Sequence, residues 1–353
     1  MSHMFYKNKP LIGLDFNQTG IKVMSINPKR SLIQGYGSLD LDPAKTQESL
    51  EDENDNYLIE NLQNLLRNNI IGELSSDHAV VGIPTSRTFS RAFSVPASEE
   101  SHIDGAVRVE VERYIPMPAD SLYIDYQIVK KTKDKIIVVL SAAPKSIVDS
   151  VLKTVRDAGI LPVAVEPSIN ATARVLASTE EGHLATLIVD IGSTSTDIAV
   201  LDEGAIRLTG SANIGGNSFT LDISSKLGIS LEKAHQYKVL NGLSSGPQHD
   251  KIEAALTPSL KKIANEIRKV IRYYSERLVD EHKLEQIVIV GGGANMPSIG
   301  DFFTNELVMP ARVASPWQNF DFGNLQKPNR QFRPRYIAVA GLASVSPAEV
   351  WND

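Results

Sequence analysis

One small plan occurs twice in this chain. Leu11–Phe16 is a short apolar run that holds Asp15; a polar turn, Asn17-Gln18-Thr19-Gly20, follows, and Ile21–Ile26 returns as a strand. Far downstream, Ala185–Val189 is apolar and β-branched and ends in Asp190, turns on Gly192-Ser193-Thr194-Ser195-Thr196, and returns as Asp197–Leu201. Strand, tight turn and strand make a hairpin. The two share little identity but one layout, and a repeated unit of this kind predicts two similar α/β domains facing each other. A phosphate chain needs converging backbone N–H groups and hydroxyls, which turns of small residues supply. The divalent cation that travels with phosphate is held by carboxylates, commonly through its waters. The layout therefore sets Asp15 and Asp190 across a cleft as the metal-side carboxylates, with Lys22 in reach of a phosphate oxygen. A single such hairpin is as readily an ordinary structural turn; two of matching layout favour phosphate binding.

The totals agree with a large folded protein. With 353 residues, the chain has room for two or three domains. At 42% hydrophobic and 22% charged it can bury sizeable cores and is not disordered. A net charge of −6, with both signs intermixed, argues against a nucleic-acid footprint. Without cysteine there is no disulfide, thiolate nucleophile or Cys-bound zinc, and a reducing compartment fits. The 7 histidines form no HExxH and no other pair at ligand spacing. No apolar run approaches the roughly 20 residues of a membrane helix. The opening Met1-Ser2-His3-Met4 has the form of a cloning scar and is set aside.

Between the hairpins, Ser31–Leu41 supplies a third strand, Glu51–Asp55 a solvated charged loop, Tyr57–Asn69 a helix, and His78–Ile83 a strand stopped by Pro84. The next stretch runs strand (Phe89–Val95), helix, strand (Tyr123–Lys131), strand (Lys135–Ala142). Its helix is expected from an N-cap at Ser98 to Tyr114, with Ile103, Val107, Val111 and Tyr114 on one face, and is ended by Pro116 and Pro118. Set between elements of a larger sheet, this unit has the character of an insertion. Lys145–Ala158 is a helix stopped by Gly159, Leu161–Val165 a strand, and Pro167 suits the first turn of the helix that follows. Leu256, Leu260, Ile263, Ile267, Ile271, Tyr274 and Leu278 mark one long amphipathic core helix. Ile287–Val290 is a buried strand that runs into Gly291-Gly292-Gly293-Ala294-Asn295-Met296-Pro297 and a helix at Ser298–Glu306. A last apolar segment, Tyr336–Val345, contains Gly341.

Competing motifs fail on their context. The triple-glycine loop has Met296 where a dinucleotide loop needs its last Gly. No GK[ST] exists, which excludes a P-loop. A strand–glycine–helix corner can still admit an adenosine at close backbone approach. Gly242-Leu243-Ser244-Ser245-Gly246 has the letters of a serine-hydrolase elbow but lacks the flanking strand and helix, so it is a surface loop. Asp15 and Asp190 as a glycoside-cleaving pair fit less well than phosphate, because both turns are rich in hydroxyls and amides.

Together these segments resemble the actin/Hsp70/sugar-kinase superfamily. Gly13-Leu14-Asp15 through Lys22 is similar to its first phosphate motif, Val189 through Asp197 to its second, Gly215-Gly216 to the glycine pair that follows, and Val290-Gly291-Gly292-Gly293-Ala294 with Pro297 to its adenosine motif. Glu166-Pro167 resembles the first connecting motif and Ala338 through Ala343 the second. The resemblance implies an α/β, actin-like (ribonuclease H-like) pair of duplicated domains that binds ATP with Mg²⁺. It implies nucleotide contacts at Asp15, Gln18, Thr19, Lys22, Asp190, Gly192, Ser193, Thr194, Ser195, Gly215, Gly216, Lys238, Gly291, Gly292, Gly293 and Ala294, with Asp15 and Asp190 serving the metal. Glu166 would orient the attacking water. Asn17 stands where that superfamily has Gly, a residue type that tolerates left-handed backbone. In Leu231–Lys238, which resembles the ribose-holding helix, Lys238 matches and His235 replaces a Glu.

Within the superfamily the likeness is closest to the PilM family, through Gly82-Ile83-Pro84, Glu110–Pro118 and Asp125-Tyr126-Gln127. These lie where PilM and the division protein FtsA carry an inserted 1C subdomain. The implied domains are 1A at 9–84 plus 145–180, 1C at 85–144, and domain 2 at 181–353 with 2B at about 218–280. The implied function is a cytoplasmic ATP-binding scaffold of the type IV pilus inner-membrane complex, with slow or absent hydrolysis. It would sit at the inner face of the membrane by holding the tail of a PilN-like protein between 1A and 1C, with self-association left open. An FtsA-like filament former is the first alternative; such proteins end in a basic amphipathic helix, whereas this sequence ends Ser-Pro-Ala-Glu-Val-Trp-Asn-Asp. A small-molecule kinase is the second, and no motif for its catalytic base is present.

Overall fold

The computed structural model describes residues 10–52, 54–179, 184–277 and 282–350. The opening tetrapeptide, Leu278 and the last three residues lie outside these. The first sheet holds β1 (Ile12–Asn17), β2 (Gly20–Asn27), β3 (Leu32–Asp40), β4 (Ile70–Gly72), β5 (His78–Ile83) and β9 (Leu161–Pro167), in the order β4-β3-β2-β1-β5-β9. The second holds β10 (Thr186–Ile191), β11 (Thr196–Asp202), β12 (Ala205–Ala212), β13 (Gln286–Val290) and β14 (Ala311–Val313). Three more strands join it: β6 (Phe89–Pro96), β7 (Leu122–Lys131) and β8 (Lys135–Pro144), giving β14-β13-β10-β11-β12-β6-β8-β7.

The repeat seen in the sequence is a repeat of topology. In the first sheet β1, β2 and β3 form an antiparallel meander, and β5 and β9 add in parallel beside β1. In the second, β10, β11 and β12 form the same meander, and β13 and β14 add in parallel beside β10. The register matches as well: Asp15 lies opposite Lys22, and Asp190 opposite Asp197.

The helices that position these sheets include α1 (Pro43–Glu51), α2 (Tyr57–Asn68), α3 (Ile103–Tyr114), α4 (Lys145–Asp157), α5 (Ser168–Thr179), α6 (Gly216–Leu227), α7 (Leu231–Leu240), α8 (His249–Arg277) and α9 (Ile299–Leu307). Another, α10 (Ile337–Ala343), packs with α5 between the two sheets. There Ile169, Ala173, Val339 and Ala340 meet Met24 and Ile26 from one sheet and Ile188 and Val288 from the other. The crossing is close because Gly341 lies on the Ala171 carbonyl, where a Cβ would collide with the backbone. Leu58, Leu62 and Leu65 of α2 and Val151 and Val155 of α4 cover the outer face of the first sheet. Leu256, Leu260, Ile263 and Ile267 of α8 cover that of the second. Among the described residues no helix is long and apolar enough to cross a membrane.

Residues 89–144 bury a core of their own, with Val107 and Val111 of α3 against Ile136, Val138 and Leu140 of β8. Their strands do not extend the sheet they interrupt. They join the second sheet, through one register pair between β6 and β12, Arg91 with Leu208. Arg91 secures the seam: its guanidinium lies 3.3 Å from the Tyr114 ring centroid and 4.2 Å from that of Tyr273 on α8. Its Nε donates to the Tyr273 hydroxyl at 2.6 Å.

Several boundaries differ from the sequence expectation. Ser98 caps no α-helix: Ala97–His102 is a 3₁₀ stretch that kinks at Glu99, and α3 begins at Ile103. Pro167 ends β9, opposite Ile83, and Ser168 opens the helix. Ser298 is left-handed (φ 59°), so α9 starts one residue later. The acidic run begins within α1, whose start was signalled by Asp42, which accepts from Ala44 N at 2.9 Å and Lys45 N at 3.1 Å, and by Pro43 in the first turn.

Candidate nucleotide cleft

The two hairpin turns face each other across a narrow cavity of about 120 Å³. Gln18, Thr19, Ser193, Thr194 and Ser195 line it from the turns, Asp15, Lys22, Asp190 and Asp197 from the strands below, and Gly291 and Gly292 from the glycine loop. The Thr194 hydroxyl donates to Gln18 Oε1 at 2.8 Å, so the turns touch across the opening. Asn17 is not left-handed. Its Oδ1 accepts from Thr19 N at 3.0 Å and from the Thr19 hydroxyl at 3.2 Å, an Asx turn that closes the loop without glycine.

Charge is uneven at the base. Asp15 is buried and well served: Lys22 Nζ donates to Oδ2 at 2.9 Å and the Ser168 hydroxyl to Oδ1 at 2.6 Å. The matching position of the second hairpin carries Asp197 instead of a lysine. Asp190 keeps part of its surface open to the cavity, yet the protein packed around it, and then Asp15 nearby, push its carboxyl up to about 6 against the pull of Lys22. Burial first, and then Asp190 and Asp15, hold Asp197 well above the ordinary carboxylate range. One oxygen of Asp197, Oδ1, is buried without a hydrogen bond. Three carboxylates thus stand together while Lys22 is bonded to Asp15, an arrangement a divalent cation would relieve. Among the described residues no three acidic or histidine side chains come close enough to grip a bare ion. A cation there would be held through its waters and through phosphate oxygens. On this chemistry the residues fit a magnesium-bearing phosphate chain.

The remaining expected residues divide into lining and support. Gly291 (φ +83°) must be glycine, because a Cβ there would strike Asp190 Oδ1. Gly293 packs on Ile191, and Ala294 is buried behind the loop. Gly215 seals α6 against the second turn, where a Cβ would meet Gly192 O at 2.6 Å. Gly216 N donates to Gly192 O at 2.9 Å. Lys238 reaches from α7 to Gly216 O at 2.7 Å and the Thr220 hydroxyl at 2.8 Å, and burial pushes its ammonium down to about 8.

Gly215, Gly216, Lys238, Gly293 and Ala294 stand behind the cavity wall and do not line it, and Glu166, the expected water-orienting residue, lies away from it altogether. Both its oxygens are held by Arg174, at 2.8 and 2.9 Å, and it lines grooves on the other side of β9. The chain turns from strand to helix at Pro167–Ser168, so Ser168, two residues on, is the one that meets Asp15. Sequence reasoning did not assign Ser168, Thr85, Ser86, Asp197 or Arg335, all of which line the cavity. Asp197 alone had a signal, its place opposite Asp190 in the second hairpin. Arg335, paired with Asp40, comes from a segment without any pattern.

The chain is similar over part of its length to division proteins FtsA. It is 26% identical to that of Neisseria meningitidis over 216 residues, which cover 55% of this chain and 50% of FtsA. It is 25% identical to that of Borreliella burgdorferi over 191 residues, covering 49% and 45%. The matches thus span about half the length of these curated relatives. Its fold is similar to a solved PilM–PilN type IV pilus biogenesis complex, with a TM-score of 0.77 at 21% identity, covering 96% of this chain and 98% of that one. EutJ from Carboxydothermus hydrogenoformans has a TM-score of 0.57 at 16% identity (94% and 88% covered). A non-polymerising MamK mutant bound to AMPPNP has 0.52 at 13% (96% and 99%). The fold is therefore actin-like, as the motifs implied. The family model for the type IV pilus assembly protein PilM matches residues 13–346, nearly the whole chain, and this protein belongs to that family.

Proposed function

We propose that this protein is an ATP-binding scaffold of type IV pilus assembly, held at the cytoplasmic face of the membrane by the tail of a PilN-like protein. The observation that carries the reading is an open groove of about 570 Å³ between residues 85–144, the proposed 1C, and the first sheet with its helices, the proposed 1A. Tyr123 and Ile124 of β7 form one wall, and Val148, Leu152, Val165 and Pro167 the other. Both β7 residues are large, apolar and exposed, and an extended peptide with apolar side chains would cover them. The structure of similar fold is a complex of a PilM with a PilN, which supports a PilN-like partner.

Mg-ATP would occupy the cleft. Asp15, Asp190 and Asp197 would orient the waters of the cation, Lys22 and the hydroxyls of Ser193, Thr194 and Ser195 would meet phosphate oxygens, and Gly291–Gly292 would pass the adenosine at close range. The cation would supply the positive charge that the three carboxylates lack. Entry of a nucleotide requires the Thr194–Gln18 contact to open. Turnover is slow or absent in this reading, because among the described residues no carboxylate besides these three lines the cavity to orient water. ATP then acts as a ligand joining the two halves, and it stabilises the folded state by mass action.

The test is capture of a synthetic peptide of the PilN-like tail by the full chain. Tyr123→Ala combined with Ile124→Ser changes only exposed positions and is expected to abolish capture. Undiminished capture by that variant would place the partner elsewhere. Pelleting of ATP-dependent polymers without any capture would favour the FtsA-like filament former instead.

A further inference from the structure

The chain carries a net charge of −6, yet no Asp or Glu occurs from Phe322 to Ala348, a stretch that holds Lys327, Arg330, Arg333 and Arg335. Residues 321–336 form a strap laid along β3. Ile33 N donates to Asp321 O at 2.8 Å, the Tyr36 hydroxyl donates to Gln326 O at 2.5 Å, and Arg335 pairs with Asp40. From Leu32 to Asp40, at about 3.3 Å per strand residue, that path is roughly 26 Å long. The inward side of the strap is apolar: Phe322 and Tyr336 are buried and pack edge-on against Tyr36.

The outward side is cationic. Lys327 and Arg330 are exposed, and of the four cations only Arg335 is paired with a carboxylate among the described residues. Lys29 and Arg30, exposed on the turn from β2 to β3, extend the row at the Asp321 end, where Asp321 N donates to Ser31 O at 2.9 Å. Asp40, Asp321 and Glu73 are the acids held beside it, too few to cancel the row. Phe332 stands among the arginines 50% exposed, with the Arg335 guanidinium 5.8 Å from its ring. An aromatic ring framed by cations suits the surface of an anionic bilayer, where phosphates meet the charges and the ring sits at headgroup level. An acidic peptide would satisfy the cations one by one, whereas a bilayer serves the whole row and the ring together.

We propose that residues 327–335, with Lys29 and Arg30, rest on the headgroups of an anionic membrane. From the preceding reading this inference takes only that the chain works beside a membrane. The peptide groove of that reading lies beyond β9, four strand steps from β3 and thus roughly 19 Å across the first sheet. Tail and strap then hold the sheet by its two edges and fix how it stands on the membrane. One weak membrane signal gives reversible attachment, and a second makes it stable.

The experiment is sedimentation of the full chain, without any tail peptide, with vesicles of phosphatidylglycerol and phosphatidylcholine and with vesicles of phosphatidylcholine alone. Binding to the anionic vesicles only, lost at high salt, is expected. Lys327→Glu combined with Arg330→Glu is expected to lower it at least roughly ten-fold, with an unchanged melting temperature because both side chains are exposed. Lys261→Glu combined with Lys262→Glu makes the same charge change on the exposed face of α8 and is expected to lower it far less. Phe332→Ser keeps every charge and is expected to weaken binding several-fold; unchanged binding in that variant overturns the seating of the ring. Equal loss in the two double variants reduces the effect to net charge and overturns the proposal. Absence of the wild type from the anionic vesicles overturns it as well and leaves the peptide groove standing; retention of an oligoglutamate peptide in that case would give the strap to an acidic protein. Vesicle binding by a chain that captures no tail overturns the groove and leaves the strap.

Discussion

Asp190 and Asp197 show how a binding site can oppose the stability of the protein that contains it. The Asp190 carboxyl has an ordinary value of 3.8 and is pushed up to about 6 in the fold. The folded state thus holds a proton that the unfolded chain releases between those values. Its contribution to stability is fully present below pH 3.8 and is lost as pH rises through 6, a loss on the order of 3 kcal/mol. The nucleotide-free protein is expected to melt lower at pH 7.5 than at pH 5 on this account. Asp190→Asn should flatten that dependence and raise the melting temperature at pH 7.5, while weakening Mg-ATP binding in calorimetry. A variant that lost stability at pH 7.5 would show that the carboxylate is compensated within the protein. The sequence made Asp15 and Asp190 legible because each ends an apolar run. It did not reveal that Lys22 would bridge to Asp15, since a pairing seven residues away follows from strand register and not from residue type.

At the scale of elements, the junction of β9 and α5 separates two sites within five residues. Glu166, Pro167 and Asn170 face the groove, and Ser168 faces the cleft. Arg174 binds Glu166 and also donates to Gly341 O at 3.1 Å, tying β9, α5 and α10 together. Glu166→Gln is therefore expected to lower stability by about 1–3 kcal/mol, because Arg174 is left underpaired, and to leave background phosphate release unchanged. A rate of phosphate release that Glu166→Gln abolished would instead assign Glu166 to the attacking water. The strand was legible from its apolar run, and the following helix only from the proline that precedes it. Their exact joint was not, because Pro167 is equally at home at a strand end and in a first helical turn. That one-residue difference decides which side chain enters the cleft. Likewise β4, β12 and α6 lack a pattern strong enough to stand out, and they take their form from the strands and helices they pack on.

For the whole molecule, the duplicated hairpins made two α/β domains legible, and topology carries the repeat further than identity does. The position of residues 89–144 was not legible. Their own pattern describes a self-contained unit, and nothing in it says which sheet they will join. Arg91 decides much of that placement. Arg91→Ala removes the stack with Tyr114 and Tyr273 and the 3.4 Å pair with Glu110. It is expected to speed amide hydrogen exchange in β6 and in α8 near Tyr273, with little change in β1 or β2. Uniform exchange in variant and wild type would mean that the seam is held by its backbone pair and by packing alone.

The seam also imposes an order in time. β6 leaves the ribosome well before β12, the strand it joins. At 5–20 residues per second the delay is roughly 6–25 s. During that interval residues 89–144 have their own core to fold around, but one flank of β6 has no neighbour. A bare strand flank invites pairing with other chains, and charged side chains discourage it. Arg91 is the third residue of that strand, so the residue that later locks the insertion to the second sheet also guards the nascent chain until that sheet exists.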